Sequence, residues 1–145
     1  MVSQDSVQTT ILFFFYSFLN DDLAIAASAK TLQRWRRILK SRGAEDLADM
    51  VRLSFAVWKK SKKTNVPVAF ESQICNSEIM GSLAGWRDFK KQSTDEEFLT
   101  VLWSTVLKVP EEKIARGLNI SVGTVRYRLG KGLKKLGDLL ESPYA

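Results

Sequence analysis

The sequence contains no histidine and a single cysteine, Cys75. The first absence excludes an imidazole general base, a His–Asp pair and any histidine metal ligand. The second excludes an intrachain disulfide and leaves a thiolate zinc site short of ligands. A lone thiol fits a reducing cytoplasm, where structural disulfides are rare. No apolar run approaches the roughly 20 residues that a membrane-spanning helix needs. The longest, Ile11 to Leu19, has only Asp5 as a charge before it, whereas a signal peptide carries basic residues there. Ala24-Ile-Ala26 resembles a cleavage site, but Asp21 and Asp22 interrupt the approach to it. The run therefore reads as a buried helix, and no membrane partner is expected. No Gly-rich phosphate loop and no paired catalytic carboxylates occur, so an enzyme is not expected, nor a cofactor.

What is present is apolar residue and positive charge. Hydrophobic residues make up 45% of the chain, enough for a packed core and against wholesale disorder. The net charge of +6 is unevenly placed: −3 over residues 1–29, +8 over 30–63, −3 over 64–107, +6 over 108–136 and −2 over 137–145. Two basic blocks flank an acidic middle, as a polyanion touching two regions would require. Lysine-rich solvated faces would give the same count.

The apolar spacing predicts an all-α chain. A first helix is expected over about 8–20, with Asn20, Asp21 and Asp22 turning into a second over about 23–40. Leu23, Ala27, Leu32, Trp35 and Leu39 fall near helical spacing there. Ser41-Arg42-Gly43 ends it, and a third helix is expected over about 44–61 with Leu47, Val51, Phe55 and Trp58 on one stripe. Residues 64–75, with Pro67, read as linker. Residues 78–91 are compatible with helix, although Gly81 and Gly85 each cost about 1 kcal/mol relative to alanine. Ser93/Glu96 and Thr94/Glu97 both have capping-box spacing, starting a helix that runs to Leu107. Pro110 suits the first turn of the next.

Residues 110–136 hold the most informative pattern. Glu111 and Glu112 open a short helix whose Ile114, Ala115 and Leu118 face inward. Gly117 or Asn119 can take the left-handed conformation of a sharp turn. Ile120 fills the angle, and Ser121 can cap the next helix. Advancing 100° per residue, that helix places Val125, Leu129, Leu133 and Leu136 on one side and Thr124, Tyr127, Lys131 and Lys134 opposite, with Arg126 and Arg128 at the edges. Gly132 lies on the inner face, where it would permit close packing, and Gly130 lies outward. A helix-turn-helix presents its second helix to the DNA major groove in this way. The expected DNA-contacting set is Ser121, Thr124, Arg126, Tyr127, Arg128, Lys131, Lys134 and Lys135. A plain amphipathic hairpin explains the leucines but not the small residue, plug, cap and acid-poor face together.

At Ile114-Ala115, Leu118-Asn119-Ile120-Ser121, Gly123-Thr124-Val125 and Arg128-Leu129 the chain resembles the fourth region of bacterial sigma factors of the extracytoplasmic-function type. LuxR-type response-regulator domains share the Ile-Ser-x-Gly-Thr-Val core. The sigma resemblance implies that the hairpin binds the −35 promoter element. Thr31-Leu32-Gln33-Arg34-Trp35 is similar to the family's polymerase-clamp helix, which implies core RNA polymerase contacts at Leu32, Gln33 and Trp35. Arg52 to Lys63 is similar to the helix that contacts the −10 element, which implies DNA contacts at Trp58, Lys59 and Lys60. Two departures stand out. The family's acidic and Gln-Glu positions are filled by Ala26, Ala27, Ser28, Ala29 and Lys30, and Lys113 replaces a frequent glutamate.

The resulting expectation is a cytoplasmic, sigma-like transcription initiation factor acting at the bacterial nucleoid. Residues 1–64 form a diverged region-two-like module, 65–92 a linker with a helix in it, and 93–145 the DNA-binding domain. An extended linker at ~3.3–3.6 Å per residue would let the two basic blocks reach elements about 17 base pairs apart. An anti-sigma protein covering both basic surfaces is a hypothesis that the charge pattern permits. The alternatives are a helix-turn-helix regulator that dimerises through its N-terminal helices, with Phe13 to Phe15 as the seam, and a sigma-like adapter that binds polymerase or an anti-sigma protein without DNA.

Overall fold

A computed structural model describes residues 2–63 and 77–141; Cys75 and the part of the expected linker before residue 77 lie outside them. All regular structure among the described residues is helical. Most of the starts described next have a side chain that caps them. Ser3 accepts a hydrogen bond from the Ser6 N–H and opens α1 (Gln4–Phe18), four residues before the spacing of apolar residues would place it. Asn20 accepts from the Leu23 N–H and opens α2 (Asp21–Arg42), with Asp21 and Asp22 in its first turn and Lys40 and Arg42 in its last. Acids at the positive end and bases at the negative end suit the helix dipole. Gly43, at φ 82°, closes α2 in the left-handed region. The Asp46 carboxylate accepts from the Ala48 N–H at 3.0 Å at the start of α3 (Leu47–Lys63).

After the undescribed stretch come α4 (Ser77–Gln92) and α5 (Asp95–Val101). Of the two overlapping capping boxes, the fold uses Thr94/Glu97. A π-helical turn over Leu102–Val106 extends α5. It is followed by α6 (Glu111–Leu118) and α7 (Val122–Glu141). Pro110 sits one residue earlier than expected, as the extended residue before α6, where its missing N–H is equally harmless.

The core explains the aromatic run. Phe13 and Phe14 are fully buried. Phe13 stacks on Trp103 with centroids 5.2 Å apart and planes at 8°, and Phe55 meets Trp103 edge-on. The seam proposed for Phe13 to Phe15 is therefore corrected: two of its three rings lie inside one chain. Trp35 and Trp58 are buried too, because each falls on the stripe of its helix that faces the other helices. No helix of the described residues is long and apolar enough to cross a membrane.

One packing contact was not legible in advance. The helices before and after residues 64–76 share a single core, and α6 lies along α3. Gly117 makes that possible. A Cβ there would stand 2.6 Å from the Ala48 carbonyl oxygen and 2.7 Å from Val51 Cβ. Glycine is required for proximity, not for a turn. Ion pairs border the contact: Lys113 and Arg116 of α6 reach Asp46 at 3.1 and 3.0 Å. Burial alone would raise the Asp46 pKa, but the Ala48 N–H, Lys113 and Arg116 outweigh it and hold the carboxyl below its usual range. Alongside, Asp49 is buried between Arg42 and Arg52.

Candidate nucleic-acid interface

The hairpin is built by α6, a tight turn and α7. Asn119 ends α6 at φ 56°, ψ 49°, a left-handed conformation that asparagine tolerates better than most residues. Of the two candidates for this role, Asn119 fills it. The Ile120 N–H returns to the Ala115 carbonyl at 2.9 Å, which redirects the chain. Ile120 itself is half-buried against the core. Ser121 then caps α7, its Oγ accepting from the Thr124 N–H at 3.0 Å. Val125 and Ile114 are fully buried between the helices. Buried Ala115, half-buried Ile120 and the Ser121 cap thus follow one another through the turn between α6 and α7.

α7 is held from behind. Gly132 lies against α5, where a Cβ would come within 2.6 Å of Val101 Cγ2 and 3.1 Å of the Glu97 carbonyl oxygen. With that face fixed, Gly123, Arg126, Tyr127, Gly130, Lys131 and Lys134 form an exposed stripe. No acidic residue occurs on α7 before Asp138. Gly130 has open space around it, so a rigid surface can come close to the helix backbone there. Lys131 places its ammonium 5.2 Å from the centre of the exposed Tyr127 ring, a cation–π contact on the outer face.

The expected DNA-contacting residues divide by surroundings. Arg126, Tyr127, Lys131 and Lys134 face solvent, with Arg126 loosely paired to Glu111 at 3.4 Å. Ser121 is exposed, and its hydroxyl lies 2.9 Å from that of half-buried Thr124. Two members of the set lie closer to the body of the fold. Lys135 is drawn inward to the buried carboxylate of Glu97, where burial is outweighed by the Lys135 and Thr94 hydrogen bonds and the acid is held below its usual pKa. Arg128 is half-buried and lines a pocket with Phe55, Glu96, Leu99, Leu118 and Ile120. Leu133, expected on the inner face, is 40% exposed, because Gly132 brings α7 against α5 one residue away.

The N-terminal candidates change more. Trp58 is 2% exposed and stacks loosely on Phe55, so it offers no face to a base. Lys59 and Lys60 are exposed. Of Leu32, Gln33 and Trp35, only Gln33 is exposed; Leu32 and Trp35 belong to the core. Their apolar spacing marked a buried stripe. Sequence reasoning missed Glu97, Asp46 and Gly117 as the residues that seat the hairpin. Glu97 carried a signal as a capping-box acid, but its partner Lys135 lies far along the chain.

No protein-family model, curated protein or solved structure matches the chain. Among the described residues, no group of three or more His, Cys, Asp or Glu side chains could hold a metal ion.

Proposed function

We propose that this protein is a DNA-binding transcription factor that reads duplex DNA through the α6–α7 helix-turn-helix. The observation that carries the reading is the outer stripe of α7. Arg126, Tyr127, Lys131 and Lys134 face solvent on a helix fixed from behind by Gly132 and capped by Ser121. Cations on such a helix serve base edges and phosphates at once. The resemblance to the sigma fourth region assigns the stripe to a promoter element and makes core RNA polymerase the second partner, in the bacterial cytoplasm.

A plain helix-turn-helix regulator is the second reading. It is favoured by the packing of α3 on α6, which ties the N-terminal helices to the hairpin, and by the burial of Leu32 and Trp35.

Mobility shift on duplex DNA across a salt series tests the shared claim. Affinity should fall steeply with salt, and Lys134→Ala should make the slope shallower by about one. Arg126→Ala should cost ~1–3 kcal/mol on a selected site if its guanidinium pairs with guanine. Affinity indifferent to salt would remove DNA binding altogether. Co-purification with core polymerase, sensitive to Gln33→Ala, separates the sigma type from the plain regulator.

A further inference from the structure

The cleft that Arg128 lines beside the hairpin turn has room for a small guest. Buried Leu99 and Trp103 line it together with half-buried Phe55 of α3, Leu118 of α6 and Ile120 of the turn. Its volume is about 160 Å³. An apolar cavity of about 150 Å³ takes one benzene-sized body. The apolar lining therefore suits a single ring or a branched aliphatic chain.

Two charged groups complete the lining. Arg128 of α7 is half-buried, and Glu96, in the first turn of α5, is exposed. Among the described residues, neither side chain has an ion pair or hydrogen bond, with the other or with any further group. The cleft beside Gly117 is the contrast: its Arg42, Arg52 and Arg116 already close on Asp49 and Asp46. The groove between α2 and α3 carries cations and no acid. The backbone is also irregular at the cleft. Trp103 belongs to the π-helical turn, where the Leu107 N–H reaches the Leu102 carbonyl at 3.0 Å. Single π turns of this kind are frequent at functional sites.

We propose that this cleft binds a free α-amino acid whose apolar side chain is one ring in size or smaller. The side chain lies against Leu99, Trp103 and Ile120. The Arg128 guanidinium donates to the ligand carboxylate, and the ligand ammonium donates to the Glu96 carboxylate. A purely apolar guest would leave a half-buried guanidinium unanswered. A plain carboxylate would answer Arg128 but meet Glu96 as a like charge. A zwitterion answers both. The proposal goes beyond the DNA-binding reading and does not rest on it.

The test uses the full chain without DNA and L-phenylalanine as the probe, followed by titration calorimetry and thermal melts. Binding should be saturable and should raise the melting temperature, because a ligand of the folded state stabilises it. Two analogues keep the ring and remove one charge each. Phenethylamine lacks the carboxylate, and 3-phenylpropanoate lacks the ammonium. Phenethylamine should bind about tenfold more weakly than phenylalanine, the loss of one charge-assisted contact. The loss for 3-phenylpropanoate should be smaller, because Glu96 is exposed to solvent. Arg128→Gln should weaken phenylalanine about tenfold and leave phenethylamine as in the wild type. Glu96→Gln should weaken phenylalanine and leave 3-phenylpropanoate no weaker than before. Melts without ligand show whether both variants fold, and the analogue series needs no substitution. Absence of saturable binding by both phenylalanine and leucine at millimolar concentration would overturn the site. So would either analogue binding as tightly as phenylalanine, or unchanged phenylalanine affinity in both variants. Duplex enters none of these measurements, so their failure would leave the α7 reading standing.

Discussion

The two basic blocks carry similar excess charge, +8 over residues 30–63 and +6 over 108–136, but deploy it differently. In α2 and α3, some of the charge holds the molecule together: Arg42 and Arg52 enclose Asp49, and Lys62 reaches Asp95. In α7, Arg126, Lys131 and Lys134 stand on an outer face, Arg128 is half-buried, and Lys135 is turned inward as a structural cation. The same side-chain type at neighbouring positions thus does opposite work. Lys134 faces water, and Lys135, one step of about 100° around the helix, compensates a buried acid. Total charge in a segment indicates attraction to a polyanion. The availability of that charge depends on which acids the fold brings beneath it.

The comparison breaks most sharply at Gly117. Gly117→Val adds atoms where a Cβ alone already falls 2.6 Å from a backbone oxygen. Overpacking of this kind costs typically 1–3 kcal/mol, occasionally more. Denaturant melts should show the loss, and duplex binding should weaken with it because the hairpin loses its seat. A Gly117→Val protein with wild-type stability would show that α6 does not rest on α3.

Lys135→Ala and Lys134→Ala sharpen the contrast between adjacent residues. The first leaves Glu97, whose side chain is 8% exposed, without its cation, while the lost lysine was 37% exposed. Partial solvent screening puts the expected destabilisation at about 1–2 kcal/mol, below that of a fully buried pair. The salt slope of DNA binding should stay as in the wild type. Lys134→Ala should do the reverse, with stability within about 0.5 kcal/mol and a shallower slope. Equal effects of the two would erase the distinction between structural and outward cations.

Ser121→Ala removes the cap that starts α7 and should cost about 1 kcal/mol in a thermal or denaturant melt. The smallest effect is expected at low pH. Asp46 and Glu97 have folded pKa values held below the usual carboxylate range. Their contribution is complete above that range, about pH 4, and is lost as pH falls through the folded values. Stability measured from pH 6 downwards should therefore decline below about pH 4. In Asp46→Asn, that decline should be shallower and neutral-pH stability lower. An unchanged acid limb would show that the Asp46 ion pairs do not hold α6 in place.

Local structure was legible because its causes are local. Asn20, Gly43, Thr94, Asn119 and Ser121 end or start helices with bonds to residues a few positions away, and those signals lie in the sequence itself. The inward Val125 and the close packing at Gly132 followed from helical spacing, whereas Leu133 did not keep to the inner face. What was misread required knowledge of a partner element. Trp58 and Trp35 stand at positions where a single helix cannot distinguish a core residue from a stacking platform. Gly117 has two uses for a missing Cβ, a turn or a close approach, and only the presence of α3 decides. Lys113 departs from the glutamate frequent in the resembling family, and its cation has a use in this fold against Asp46.

The stack of Phe13 on Trp103 has a consequence for biosynthesis. As the chain leaves the ribosome, α1 emerges early with Phe13 and Phe14 on its apolar side, and the indole that covers Phe13 is made much later. During that interval the nascent helices have no complete interior, which is when exposed aromatic surface invites association with other chains. Contacts so distant in sequence also slow the search for the final arrangement.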